Sequence, residues 1–157
     1  MAATIEAYRY TAKSTGRGSV RLQGLASCTM AEQPAPPNFV YKFLTTAPPW
    51  PLTSSAPLMI PLDIKDGFMH SSTHEQAARV LQRFYPTDEV MHIVKIPVTG
   101  AFKENSRWDP SSTGELFYHL YGEIAVSDAD GWTLHEVQRP AGQDWAQALS
   151  GLLWLET

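Results

Sequence analysis

Apolar and polar positions change period several times along the chain, and each change predicts an element. Phe39 to Thr46 reads FVYKFLTT, an aromatic and β-branched run suited to a pleated, half-buried surface, and it predicts the first core strand. The prolines between Pro48 and Pro51 stop it. Glu89 to Pro97 carries Val90, Met91, Ile93, Val94 and Ile96 with His92 and Lys95 between them, too dense for one-faced alternation. That density predicts a central strand covered on both faces. Leu116 to Ile124 predicts a strand with Phe117, His119 and Tyr121 on one face and Tyr118 and Leu120 on the other. Gly131 to Val137 predicts a further strand after the turn-forming Asp128-Ala129-Asp130-Gly131.

Between these strands the period lengthens. Ala77, Val80, Leu81 and Phe84 follow the three-and-four spacing of one buried helix face, leaving Arg79, Gln82 and Arg83 to solvent. Ser72 and Glu75 have capping-box spacing at its start, and Tyr85-Pro86 ends it. The short apolar stretch Gly67 to Met69 leads into this helix as a strand, with His70 at the junction. Asp144 predicts the cap of a C-terminal helix that buries Trp145, Ala148, Leu149, Leu152 and Leu153. Leu52 to Ile64, with Pro57 and Pro61, reads as a surface loop or lid, and Thr99 to Pro110 as a loop ending in Arg107-Trp108-Asp109.

Residues 1–38 differ from the rest. Glu6 is the only acid before Glu32, while Arg9, Lys13, Arg17 and Arg21 lie among Ser, Thr and Gly. They read as an arm or hairpin, with strands at Ile5 to Thr11 and Ser19 to Cys28. Residues 1–31 also allow a mitochondrial targeting segment in place of a cytoplasmic location. Pro34, Pro36 and Pro37 read as a stiff linker to a single domain over 39–157.

Composition narrows the partners. A net charge of -4 without a basic cluster argues against a nucleic-acid partner. No apolar run approaches the roughly 20 residues of a membrane helix, so no membrane partner is expected. Cys28 is the single cysteine of the 157 residues, which excludes an internal disulfide framework and a cysteine-rich zinc site.

No phosphate-binding loop, dinucleotide glycine fingerprint or nucleophile elbow occurs. His70 and His74 are spaced as helical zinc ligands, but His70 precedes the cap, and no metal site is expected. The chemistry therefore falls to polar residues at strand ends. His70 and His119 are the candidate acid and base. Ser71, Ser72, Asp109 and Tyr121 are candidate substrate contacts, with Arg107 as a clamp for an anionic group and Asp109 also placed to orient a histidine. The blander alternatives are a structural Arg107–Asp109 ion pair and a packed core histidine at 119.

In order along the chain, VYKFLTTA, DGFMHSST-EQ, RWD and LF-HLYG resemble the domain of unknown function 952 family, over about Phe39 to Val137. The resemblance implies a single α+β domain similar to ADP-ribosyltransferases. Its split antiparallel or mixed β-structure would hold a nicotinamide cleft, a capped helix after the second core strand and a helix at the C-terminus. It makes VYKFLTT the first cleft strand, with Lys42 and Thr45 as cleft residues, and FMHSST the second. Lys42 stands where the family pattern has histidine, and a lysine there prefers an anion. The expected function is acid–base chemistry on an anionic small molecule, such as isomerisation, cyclisation or a lyase reaction. The alternatives are NAD-dependent ADP-ribosyl or phosphoribosyl transfer and non-catalytic binding of a ligand or partner. No cofactor is required by the first reading, and NAD is the one the resemblance admits.

Overall fold

A computed structural model of the protein describes residues 33–125 and 131–156. The expected N-terminal hairpin or targeting segment, Cys28, and the turn at Asp128 to Asp130 lie outside the described residues. Two three-stranded antiparallel sheets make an α+β fold. In the first, β3 (Val90–Pro97) lies between β1 (Phe39–Leu44) and β6 (Thr133–Gln138). In the second, β5 (Leu116–Leu120) lies between β2 (Met69–His70) and β4 (Ser106–Pro110). The sheets meet through one bridge: Tyr41 N donates to Ser72 O at 2.8 Å and Ser72 N to Tyr41 O at 3.0 Å.

The dense apolar run of β3 has the expected cause, because both faces of its sheet are covered. On one face Val40, Leu44, Val94 and Ile96 pack with Tyr118 and Leu120 of the second sheet. On the other, Tyr41, Phe43, Met91 and Ile93 meet Ala77 and Leu81 of α2 (His74–Phe84), and Trp145 and Leu149 of α4 (Trp145–Leu149). Full burial of a leucine such as Leu81 contributes about 1.5–3 kcal/mol. The buried Trp145 donates its indole N–H to Tyr85 O at 2.8 Å, which satisfies its polar atom and joins α4 to the end of α2.

Several expectations need correction. The cap of α2 is Thr73 rather than Ser72: Thr73 N donates to the Gln76 side chain at 3.0 Å, while Ser72 N is already used in the bridge to Tyr41. Phe84 does not join the buried face and is 59% exposed. The expected loop at Thr99 to Pro110 contains α3 (Gly100–Glu104) and β4. The expected loop at Leu52 to Ile64 contains a single 3-10 turn (Ala56–Leu58) and the start of α1 (Pro61–Asp66). The C-terminal helix is broken into α4 and α5 (Leu153–Glu156) at Gly151, whose φ of 78° takes the chain out of the helix and leaves Leu153 77% exposed. The chain divides after Glu32, and the proline segment expected as a linker belongs to the unit Gln33–Thr157. Trp108 Nε1 donates to Ala35 O at 3.3 Å, and Val98 N to Asn38 O at 2.9 Å.

Candidate functional site

The site begins with a helix that is too short to bury a face of its own. Pro61 stands in the first turn of α1, where its missing N–H costs nothing, and Gly67 ends the helix at φ 79°, a conformation natural to glycine. This single turn and a half places Asp63, 0% exposed, at the centre of a converging set of donors. Asp63 Oδ2 accepts from Ile60 N at 2.8 Å and from the Lys42 ammonium, itself 2% exposed. Its Oδ1 accepts from His70 N at 2.9 Å and from His70 Nδ1 at 2.7 Å. Burial pushes the Asp63 carboxyl up, but the His70 hydrogen bonds and the Lys42 charge outweigh it and hold the group below its ordinary value. Burial in turn pushes the Lys42 ammonium down, against the pull of Asp63.

His70 is paired directly across the β2–β5 ladder with His119, and their ring centroids lie 4.9 Å apart. His119 has its own carboxylate, since Asp109 Oδ2 lies 3.1 Å from its Nδ1. Asp109 also accepts from the Tyr121 hydroxyl at 2.7 Å and from Arg107 Nε at 3.1 Å. Together these donors overcome the upward push of burial and hold the Asp109 carboxyl low. The Arg107 guanidinium lies 4.0 Å from the Tyr121 ring centroid. Phe68 stacks on His119 at 4.4 Å between centroids and also contacts the rings of His70, at 4.8 Å, and Tyr121, at 5.3 Å. Burial, helped by the nearby His70, pushes the His119 imidazole down despite its bond to Asp109.

An ionised carboxylate only accepts hydrogen bonds, so each histidine carries its proton on Nδ1 and keeps the Nε2 lone pair. The result is two carboxylate–imidazole pairs side by side. Charge on one ring disfavours charge on the other, as the effect of His70 on His119 shows, and a ring with hydrogen on Nδ1 and a bare Nε2 can take a proton from one atom and give it to another. His70 Nε2 is also 3.6 Å from Asp66 Oδ2, which sets a second carboxylate beside any charge on that ring.

Both histidines line a cleft of about 490 Å³, within the usual size of a small-molecule site. Lys42, Ser71 and Ser72 line it as well. Ser71 Oγ donates to Tyr118 O, so its hydroxyl proton is committed to the fold. Thr45 is exposed beyond the end of β1 and is not among the lining residues. Arg107, Asp109 and Tyr121 stand behind His119 rather than on the cleft wall, so the clamp expected at Arg107 is occupied in holding Asp109. His74 points elsewhere, with its ring 3.3 Å from Glu75. Among the described residues no three His, Cys, Asp or Glu side chains gather as a metal site. Asp63 and Phe68 join the site without being among its expected members. The signal for Asp63 is present in Pro61, an acid two residues later, and Gly67, which together spell a short capped helix.

A family model described as "Protein of unknown function (DUF952)" matches residues 46–130, more than half of the chain and the part that holds both carboxylate–histidine pairs. Protein CC0527 from Caulobacter crescentus, known from an X-ray crystal structure, is similar with a TM-score of 0.50 and 23% identity, over 68% of this chain and 91% of that one. A double-methionine variant of the same protein matches equally. At this identity the likeness concerns the fold alone. No curated protein matches the chain.

Proposed function

Because the chain belongs to the DUF952 family, whose description specifies no activity, we propose a function from the site itself: acid–base catalysis on a small molecule bound in the cleft. One observation carries the reading. His70 and His119 face each other at 4.9 Å, each held through Nδ1 by its own aspartate. His119, whose charged form burial disfavours, is the base. His70, flanked by Asp63 and Asp66, is the second ring, placed to take that proton over from His119 and return it to another atom of the substrate. Isomerisation, cyclisation and lyase reactions that proceed by proton transfer can run on such an exchange without a cofactor. Phe68 packs against both rings, stacked on His119, which is buried.

A second reading, cleavage of a nicotinamide dinucleotide, draws on the resemblance to ADP-ribosyltransferases. It is favoured by one feature, a cleft beside the point where two small antiparallel sheets join at Tyr41 and Ser72. Lys42 counts against it as a missing acceptor: its ammonium is already paired with Asp63 and offers no lone pair to the positive charge formed as nicotinamide leaves.

The acid–base reading is tested in deuterium oxide. Small organic acids are incubated with the protein and examined by mass spectrometry for uptake of solvent deuterium, which detects proton transfer without knowledge of the product. At least one acid should gain deuterium with the native protein and none with His70→Gln or His119→Gln. An acid that binds in the cleft without exchange or turnover would leave a binding protein in place of an enzyme.

A further inference from the structure

We propose that the cleft selects small acids with an apolar body, the anionic group held by Arg83 at the mouth; the inference rests on the acid–base reading of the same cleft. Val80, Arg83 and Phe84 fall on one stripe of α2, at the spacing that brings helix side chains to a common face, and all three line the cleft. Phe84 is 59% exposed and Leu62, from α1, is 44% exposed, yet both border this one opening. A scattered exposed apolar side chain needs no explanation, but two at the rim of a cavity make an apolar entrance.

The charges around the cleft identify the end that meets an anion. Lys42 is neutralised by Asp63, Arg107 by Asp109, and Arg79 by Glu115, which also accepts from Gln76 at 3.0 Å. Each of these cations therefore has an acid of its own. Arg83 has none among the described residues: its guanidinium lies 5.2 Å from the Phe84 ring centroid and leaves its fork of donors for a ligand. Ser112 adds a hydroxyl to the same lining, beside Ser111 and Thr113, whose hydroxyls are bonded to each other at 2.9 Å so that one of the two keeps a proton to donate. An apolar acid thus finds an aromatic wall, a free guanidinium and hydroxyl donors in one cavity. Neither Lys42 nor Arg107, the cations singled out from the sequence, offers an uncompensated charge.

The test uses 4-phenylbutyrate and 4-phenylbutanol, which share a body and differ in the charged group. Both are titrated calorimetrically into the full chain and into Arg83→Gln, with the imidazole proton signals of His70 and His119 followed by NMR. The native protein should bind the acid about tenfold more tightly than the alcohol, the gain of one solvent-exposed charge-assisted contact. Arg83→Gln should remove that preference and leave alcohol binding unchanged. Equal affinities in the native protein, no binding of the acid, or a preference that survives Arg83→Gln would overturn the inference. If the preference fails while both probes still shift the imidazole signals, the acid–base site stands without its anion anchor. Binding that leaves both imidazoles untouched would sink the two readings together.

Discussion

Replacing Asp63 by asparagine removes one charge from the least exposed group in the site, and the effect depends on the donors that this charge holds. Four donors converge on the carboxylate, from Lys42, Ile60 and twice from His70. Asparagine can still accept through its one carbonyl oxygen, but its amide then faces another donor. Lys42, 2% exposed, is left with no acid. It can stay charged, in which case breaking a buried pair costs about 3–5 kcal/mol. Otherwise it can shed its proton at pH 7, roughly 3.5 units below the ordinary lysine value, which at about 1.36 kcal/mol per unit costs ~5 kcal/mol. Both routes give about 3–5 kcal/mol, a large share of the roughly 5–15 kcal/mol available to a domain. Lys42→Met should cost less, about 1–3 kcal/mol, because Asp63 keeps its other three donors. The double variant should be less destabilised than the sum of the two, since no cation is stranded. Urea unfolding at pH 7 measures all four proteins. A loss under about 1 kcal/mol for Asp63→Asn, or a larger loss for Lys42→Met than for Asp63→Asn, would refute the reasoning.

Three further outcomes are expected. His119 is disfavoured in its charged form when folded, so the unfolded chain binds more protons below the ordinary histidine value, about 6.5; stability should therefore fall as the pH is lowered through that value, and fall less steeply in His119→Gln. Identical urea midpoints at pH 7 and pH 5 for the native protein, or identical slopes for the two, would contradict this. Gly67→Ala places a side chain at φ 79° in the turn between Asp63 and His70 and should cost about 1–2 kcal/mol although the space around it is open; an unchanged melting temperature would show that the turn relaxes freely. Incubation with NAD should release no nicotinamide above a protein-free control, and release abolished by His70→Ala would restore the transferase reading.

Strands with strong periodicity are legible in the sequence. β1, β3 and β5 lie within the runs that predict them, and the alternation in β5 correctly separates His119 from Tyr118 and Leu120. Pattern alone does not reveal register. His70 and His119 are 49 positions apart in the chain, and only the β2–β5 pairing makes them neighbours. Asp63 is hidden for a different reason: Pro57 and Pro61 argue for a loop, and a helix as short as α1 leaves no period to detect. Phe84 fits the helical stripe but lies past Leu81, where α2 borders a cavity instead of the sheet, so periodicity continues after burial has stopped. Lys42 reads from the sequence as a charge open to a ligand because its partner, Asp63, stands in a segment whose prolines predict a loop.

The central claim, that two aspartate-held imidazoles act as one proton-handling couple, is tested most directly by long-range proton–nitrogen NMR of the histidine rings across a pH titration. At neutral pH both His70 and His119 should carry hydrogen on Nδ1 and a bare Nε2. On acidification His119 should take its second proton only below the ordinary histidine value, because burial and the nearby His70 disfavour its charge. In Asp63→Asn and Asp109→Asn the Nδ1 preference should weaken only at the ring whose partner was changed. Hydrogen on Nε2 in either neutral ring, or a His119 that protonates at or above the ordinary histidine value, would contradict the claim.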